Sequence, residues 1–169
     1  MTASRVPPPI EFTKAWIHDA ITKGESGPIP LTDLGNSERL VIAHATNLRH
    51  IQLQKRWFSW DGKRFRPDAD GQVRRLAKET ARNILLEAAA ETDDGIRTKI
   101  RQHQVRSESD RAVRAMMSLA ESAIEIARRT EDFDANPNLF NVENGTLDLE
   151  TGELRPHSRD DQITKLARV

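Results

Sequence analysis

The sequence predicts an α+β fold, mainly helical, with an early β-hairpin at about residues 49–66 and a late three-stranded meander at about 139–155. Three observations predict it. Apolar residues recur at helical spacing over 71–91 and again from 110 to about 129. The pattern changes to period two around Asp61-Gly62 and Asn144-Gly145. Both pairs favour two-residue hairpin turns, because glycine accepts the positive φ that a type I′ turn needs. The 169 residues include no cysteine, so packing rather than disulfides must hold the core.

Each element can be justified in order. Pro7-Pro8-Pro9 predicts a stiff, extended leader. Residues 11–23 place Phe12, Trp16 and Ala20 on one stripe with Ile17 and Ile21 beside it, a helical spacing. Two glycines and two prolines between Gly24 and Pro30 predict a loop. Residues 1–30 are therefore an N-terminal extension with one helix, and 31–166 one globular domain. Thr32 to Asn36 offers capping residues, and a short helix follows from about Ser37 to Ala45. With Asp61-Gly62 as the turn, Trp60 pairs with Lys63, Ser59 with Arg64, Phe58 with Phe65 and Trp57 with Arg66. Phe58, Trp60 and Phe65 then share one face, and Trp57, Ser59, Arg64 and Arg66 the other.

The helix over 71–91 has an apolar stripe of Val73, Leu76, Ala77, Thr80, Ile84 and Ala88, with Arg74, Arg75, Lys78 and Arg82 over the rest. Asp93-Asp94-Gly95 interrupts it, and a shorter helix covers about 96–105. Ser107-Glu108-Ser109-Asp110 is an N-terminal signal for a helix to about Arg129, with Met116, Ala120, Ile124 and Ala127 inward. In the meander, Asn144-Gly145 sets Val142 against Leu147 and Phe140 against Leu149, with Asn141, Glu143, Thr146 and Asp148 on the opposite, polar face. Thr151-Gly152 makes a third turn. It would set Glu150 against Glu153, an unfavourable like-charge pair, so either that pair is solvent-exposed or the turn is longer. The expected core is Phe58, Trp60, Leu76, Ile84, Met116, Ala120, Ile124, Val142, Leu147 and Leu149. The two β segments are expected to lie together, each burying its apolar face.

No apolar run approaches the ~20 residues needed to span a bilayer, and the first residues lack the apolar centre of a signal peptide. A cytoplasmic protein with no membrane partner is expected. Basic and acidic residues balance at 26 each, so global charge selects no partner. Their distribution is uneven: residues 47–82 hold ten basic and four acidic side chains. Such a stretch is either a phosphate-facing patch or a locally basic solvated surface.

The motif search finds little catalytic chemistry. No Gly-x-x-x-x-Gly-Lys-Ser/Thr loop is present to cradle nucleotide phosphates. Asp148 and Glu150 share a strand face, as metal-binding carboxylates would, but alternation alone places them there. Asp93-Asp94 fits a helix-end turn. The five histidines lack metal-ligand spacing, and nothing pairs a nucleophile with a base. No catalytic and no metal residue is expected in this chain. Trp57, Arg64 and Arg66 share a predicted face, and a flat aromatic beside guanidinium groups suits unpaired bases and phosphate. With Arg74, Arg75, Lys78 and Arg82 they form the expected nucleic-acid-binding set. The competing explanations are a Trp covered by neighbours through cation–π contact and a solvated helix face.

Several phrases together carry a resemblance: Leu31-Thr32-Asp33-Leu34-Gly35-Asn36-Ser37-Glu38-Arg39, Trp57 to Phe65, Ala77-Lys78-Glu79-Thr80-Ala81-Arg82, Ser107-Glu108-Ser109, and Phe133 through Leu149 continuing to His157. Over about residues 31–166 the chain resembles the N-terminal domain of phage, plasmid and poxvirus-type primase-helicases. His50 and Phe65 depart from the aromatic residue and the Trp often found there. In the family a superfamily 3 helicase ATPase follows a segment like Asp161 to Leu166. Here the chain ends three residues later, which suggests an excised or truncated piece. The resemblance implies a non-catalytic module of a DNA-replication protein, with ATP and magnesium used by the absent helicase domain and no cofactor in this chain. The implied partners are single-stranded DNA, bound weakly and without sequence preference, the helicase domain of the parent protein, and a possible homo-oligomer. An interaction or oligomerisation module without DNA affinity is the alternative. A primase active in its own right would need a convergent acidic metal site.

Overall fold

The computed structural model describes residues 29–168. The expected leader and the helix over 11–23 lie outside them. The fold is α+β, as the two periodicities require. Four helices are described: α1 (Asp33–His44), α2 (Gln72–Ala90), α3 (Asp94–Ser107) and α4 (Asp110–Ala120). One sheet has the order β3-β2-β1-β4, from β1 (Leu48–Ile51), β2 (Arg56–Trp60), β3 (Phe65–Pro67) and β4 (Ala127–Arg128). The second is an antiparallel meander of β5 (Leu139–Val142), β6 (Gly145–Asp148) and β7 (Leu154–Arg155).

Ser109 starts α4 where the sequence places it, whereas α1 starts at Asp33 rather than about Ser37 and α3 at Asp94 rather than about 96, because Thr32 and Asp93 are the capping residues. The side chains of Thr32, Asp93 and Ser109 accept from the backbone N–H groups of Gly35, Ile96 and Ala112. Gly35 is required for space: a Cβ there would lie 2.0 Å from the Pro30 carbonyl oxygen. Leu40 of α1, Ala77 and Ala81 of α2, and Val113, Met116 and Ala120 of α4 form one cluster with Ile126. The alanines let α2 approach its neighbours closely. A buried ion pair of Arg39 with Glu87 and a hydrogen bond from Asn36 to Ser107 tie α1 to α2 and α3.

The first sheet is covered on both sides. Register places Leu48, His50, Trp57 and Ser59 on one face, where Trp57 packs against the helical cluster. The other face holds Ile51, Phe58 and Phe65 packed with Phe133. Arg49 is also buried there, over the Phe65 ring, and donates to Gln162 and to the Ala45 and Leu48 carbonyls. Burial, reinforced by the nearby Arg128, pushes its pKa down to about 10.

Three sequence expectations are corrected. The first is hairpin register. Trp60 pairs with Phe65 and Ser59 with Arg66, around a four-residue turn closed by Asp61 and Arg64. The Asp61 carboxylate accepts from the N–H groups of Lys63 and Arg64, which favours this longer turn over the two-residue one. The shift is by two residues, so face membership is preserved. The second is the last helix, which ends at Ala120 rather than about Arg129. His50 N–H bonds to the Ile126 carbonyl and draws the following chain into a parallel pair with β1. Ile126 takes the core position and Ile124 is 83% exposed.

The third correction is the orientation of the meander. Its register is also shifted by two: Phe140 opposes Leu147, which opposes Leu154. The β6–β7 turn is the longer of the two anticipated forms, so Glu150 and Glu153 are not paired. The face that turns inward is the polar one. Asn141 and Thr146 are buried, whereas Phe140, Leu149 and Leu154 are exposed and Val142 and Leu147 half-buried. The reason is the chain after β7. It runs along the hairpin and the meander, offering backbone groups that only polar side chains can satisfy. The Phe65 N–H bonds to the Ile163 carbonyl and the Ala167 N–H to the Asn141 carbonyl. The Asn141 amide nitrogen donates to the carbonyls of Lys63 at 3.1 Å and Lys165 at 3.0 Å. Its oxygen accepts from Thr146 Oγ1 at 3.1 Å and His157 Nδ1 at 2.8 Å. The β segments do lie together, but through this network rather than through two apolar faces. Of the remaining expected core, Phe58, Ile84, Met116 and Ala120 are buried and Trp60 and Leu76 half-buried.

Two predictions follow from this packing. Asn141→Ala strands two carbonyls, a hydroxyl and an imidazole N–H, and should cost about 2–4 kcal/mol. The neighbouring Phe140→Ala removes a large but exposed ring and should cost less than about 1 kcal/mol. Denaturant unfolding of both variants measures the contrast, and a larger loss for Phe140 would reverse the assignment of faces. The second concerns acid. Burial lowers the His44 pKa from 6.5 to about 4. On acidification the unfolded chain binds this proton first, so stability is complete above pH 6.5 and falls between pH 6.5 and about 4. The unfolding free energy should be about 1–2 kcal/mol lower at pH 5 than at pH 7.5 from this group. His44→Gln should remove that part of the decline.

Candidate nucleic-acid interface

The site is built on α2. Its start is fixed by Asp68, whose carboxylate accepts from the N–H groups of Gln72 at 2.7 Å and Val73 at 3.0 Å. The Asp68 N–H in turn bonds to the Trp57 carbonyl, which anchors the helix start to β2. Gly71 supplies the left-handed residue before the helix, with φ at 74°. Val73, Ala77, Thr80, Ala81, Ile84 and Ala88 face inward. Arg75, Lys78 and Arg82, at three- and four-residue spacing, therefore share the outer stripe, with Arg74 beside it.

Three of the seven expected residues converge. Arg66 of β3 donates to Asp70 at 3.0 Å. Arg75 donates to the Asp70 carbonyl at 2.7 Å and has a guanidinium nitrogen 3.6 Å from its carboxylate. The Arg66 hydrogen bond holds the Asp70 carboxyl below its ordinary pKa. Arg74 pairs with Asp110 at the start of α4, and Arg114 pairs with the same carboxylate at 2.6 Å. Arg74 and Arg75 diverge from the first turn of α2, Arg75 back to Asp70 and Arg74 across to Asp110, so the helix start contributes one arginine to each carboxylate-bridged pair. Lys78 and Arg82 extend along α2, both exposed, with no ion pair to another described residue.

The other two expected residues lie elsewhere. Trp57 is half-buried against the helical cluster, its ring centroid 5.0 Å from that of His50. Arg64 donates to the Thr164 carbonyl at 3.1 Å, towards the C-terminal segment. Arg114 is a member of the row that the sequence reading missed. Its signal was the Asp110–Arg114 spacing of four, outside the basic stretch that drew attention. Of the ten basic residues over 47–82, Arg66, Arg74, Arg75, Lys78 and Arg82 gather here. Arg49 is buried, and Lys63 pairs with Glu143 on the meander.

Among the described residues no group of His, Asp or Glu could hold a metal ion. The Asp148 carboxylate is used by a turn, accepting from the N–H groups of Glu150 and Thr151. No described helix is long and apolar enough to cross a membrane.

The fold and this surface define an α+β module: a helical layer over a four-stranded sheet, a meander joined to it, and a row of arginines on the outer helix. A family model described as D5 N terminal like matches residues 37–169. The chain belongs to this family, the N-terminal domain of D5-type primase-helicase proteins, and is an N-terminal module of a D5-like replication protein. Comparison with curated proteins gives no match.

Proposed function

We propose that this domain is a non-catalytic module that holds single-stranded DNA near a helicase motor during phage or plasmid replication in the cytoplasm. The motor, with its ATP and magnesium, belongs to the helicase domain of the parent protein. The observation that carries the reading is the set of exposed arginines around the start of α2, Arg66, Arg75, Arg74 and Arg114, with Lys78 and Arg82 further along the helix. Guanidinium groups exposed in series can each pair with a phosphate oxygen, and none reads a base edge, so binding is weak and sequence-independent. Trp57 and Arg64 are left out of this interface, since one packs on the core and the other faces the C-terminal segment.

Fluorescence anisotropy with a labelled oligonucleotide tests it. If three or four cations each neutralise a phosphate, log K should fall with log salt at a slope of roughly −2 to −3. Arg74→Ala with Arg75→Ala should weaken binding and flatten the slope by about 1.4. The fold should persist, because exposed ion pairs contribute only about 0–1 kcal/mol. Binding that is undetectable at low salt would remove this reading.

One observation favours a second reading, an oligomerisation module without DNA affinity. Phe140, Leu147 and Leu154 form an apolar ladder across all three strands of the meander, and Phe140 and Leu154 are 44% and 48% exposed. On this reading the ladder meets a second copy of the chain. Light scattering across a concentration series should show self-association, which Phe140→Ser with Leu154→Ser abolishes. A concentration-independent monomer would dismiss it.

A further inference from the structure

The carboxylates of Asp70 and Asp110 occupy a distinctive position. Each lies between two guanidinium groups, Asp70 between Arg66 and Arg75 and Asp110 between Arg74 and Arg114. Asp70 accepts from Arg66 and lies 3.6 Å from an Arg75 nitrogen, while Asp110 pairs with Arg74 and lies 2.6 Å from Arg114; an anion set between two guanidinium groups is the environment a bound phosphate would take. The start of α2 contributes one arginine to each trio, Arg75 to the first and Arg74 to the second.

We propose that Asp70 and Asp110 are built-in competitors for DNA phosphate: they hold the arginine row in place when no strand is present, and a strand binds by displacing them. The proposal deepens the single-stranded DNA reading and rests on it. Three features support it. First, the two carboxylates are replaceable, with side chains 48% and 52% exposed. The Arg39–Glu87 pair in the same domain is the opposite case, at 4% and 13%, and is fixed in the interior. Second, neither carboxylate is needed to start a helix. Asp68 caps α2 and Ser109 caps α4. Third, Lys78 and Arg82 have no carboxylate partner among the described residues, so the far end of the row is open. A strand engaging there first would reach the bridged arginines at raised local concentration.

The intramolecular carboxylates also set affinity. Four guanidinium groups carry two bridging anions, so the free row presents about half its charge. Displacement restores the rest to the strand, at the cost of returning two carboxylates to water. Weak binding is then a designed level rather than a shortage of cations.

Anisotropy with labelled oligo-dT across a salt series tests this in three forms of the chain: wild type, Asp70→Asn with Asp110→Asn, and Glu150→Gln with Glu153→Gln. The last adds the same charge in the β6–β7 turn, away from the row. The Asp70/Asp110 variant should bind about tenfold tighter, with a slope steeper by about 0.7–1.4, one or two further phosphates. The Glu150/Glu153 variant should change affinity less than about twofold. Equal tightening in both variants would show a net-charge effect and overturn the proposal. A wild type that binds while the Asp70/Asp110 variant binds no tighter would also overturn it, leaving the DNA reading in place. Binding by neither, or by the Asp70/Asp110 variant alone, would remove both, since the wild type would then hold no strand. Asp70→Asn by itself changes a loop residue outside any helix and should give about half the effect, which keeps the test sound if the double variant folds poorly.

Discussion

The relation between the two sheets depends on one side chain, the amide of Asn141. It makes all four hydrogen bonds an amide can make, two donated to carbonyls and two accepted. Each partner comes from a different part of the chain: the β2–β3 turn, the C-terminal segment, β6, and the stretch after β7. Because the nitrogen is committed to two carbonyls, the oxygen must receive both other donors. His157 therefore donates from Nδ1. A fully satisfied buried network of this kind is directional, so it fixes how the meander sits on the hairpin more sharply than an apolar contact could.

That network also explains where sequence reading stopped. Helices α2 and α3 and the start of α4 were legible to within about two residues, because periodicity and capping are local; α1 begins at Asp33 rather than about Ser37, since Thr32 is the first of several residues there able to cap. Strand faces in the hairpin were legible too, since a register slip of two residues leaves parity intact. The meander was not. Alternation correctly separated Phe140, Leu147 and Leu154 from Asn141 and Thr146, and then the rule that apolar faces go inward chose the wrong side. The deciding fact is the run of unpaired carbonyls and N–H groups presented by a segment twenty or more residues further on, such as the Lys165 carbonyl. No local pattern announces it. The end of α4 failed for the same reason. Ile124 continues the helical stripe in sequence, but a parallel strand pairing with β1 pulls the chain out of the helix.

The candidate interface was legible in composition and less so in membership. A run of basic residues over 47–82 pointed to the helix that carries Arg74, Arg75, Lys78 and Arg82. It could not separate Arg49, which the core absorbs, from Arg75, which faces solvent. Nor could it separate Trp57 as a stacking ring from Trp57 as a wall of the helical core. Both faces of the sheet are buried, so the face opposite Phe58 is no more open than the face that holds it. Arg114 was invisible because it belongs to the surface through Asp110, a contact between helices 36 residues apart from Arg74 to Asp110 in sequence.

Taken together, these features account for a balanced net charge beside a concentrated basic helix. The acidic side chains are not merely elsewhere on the molecule. Some lie directly between the arginines, where they reduce self-repulsion in the free domain and orient flexible guanidinium groups that would otherwise lose entropy on binding. On the proposed DNA reading, a surface arranged this way would grip a strand by exchange of one anion for another. Exchange keeps affinity low and release fast, since the carboxylates stand ready to re-pair as each phosphate leaves. If the module sits beside a helicase motor, as proposed, that property matters more than tight binding. A strand held by unopposed cations would resist the movement that such a motor imposes, whereas one held against internal competitors could pass from one bridged pair to the other.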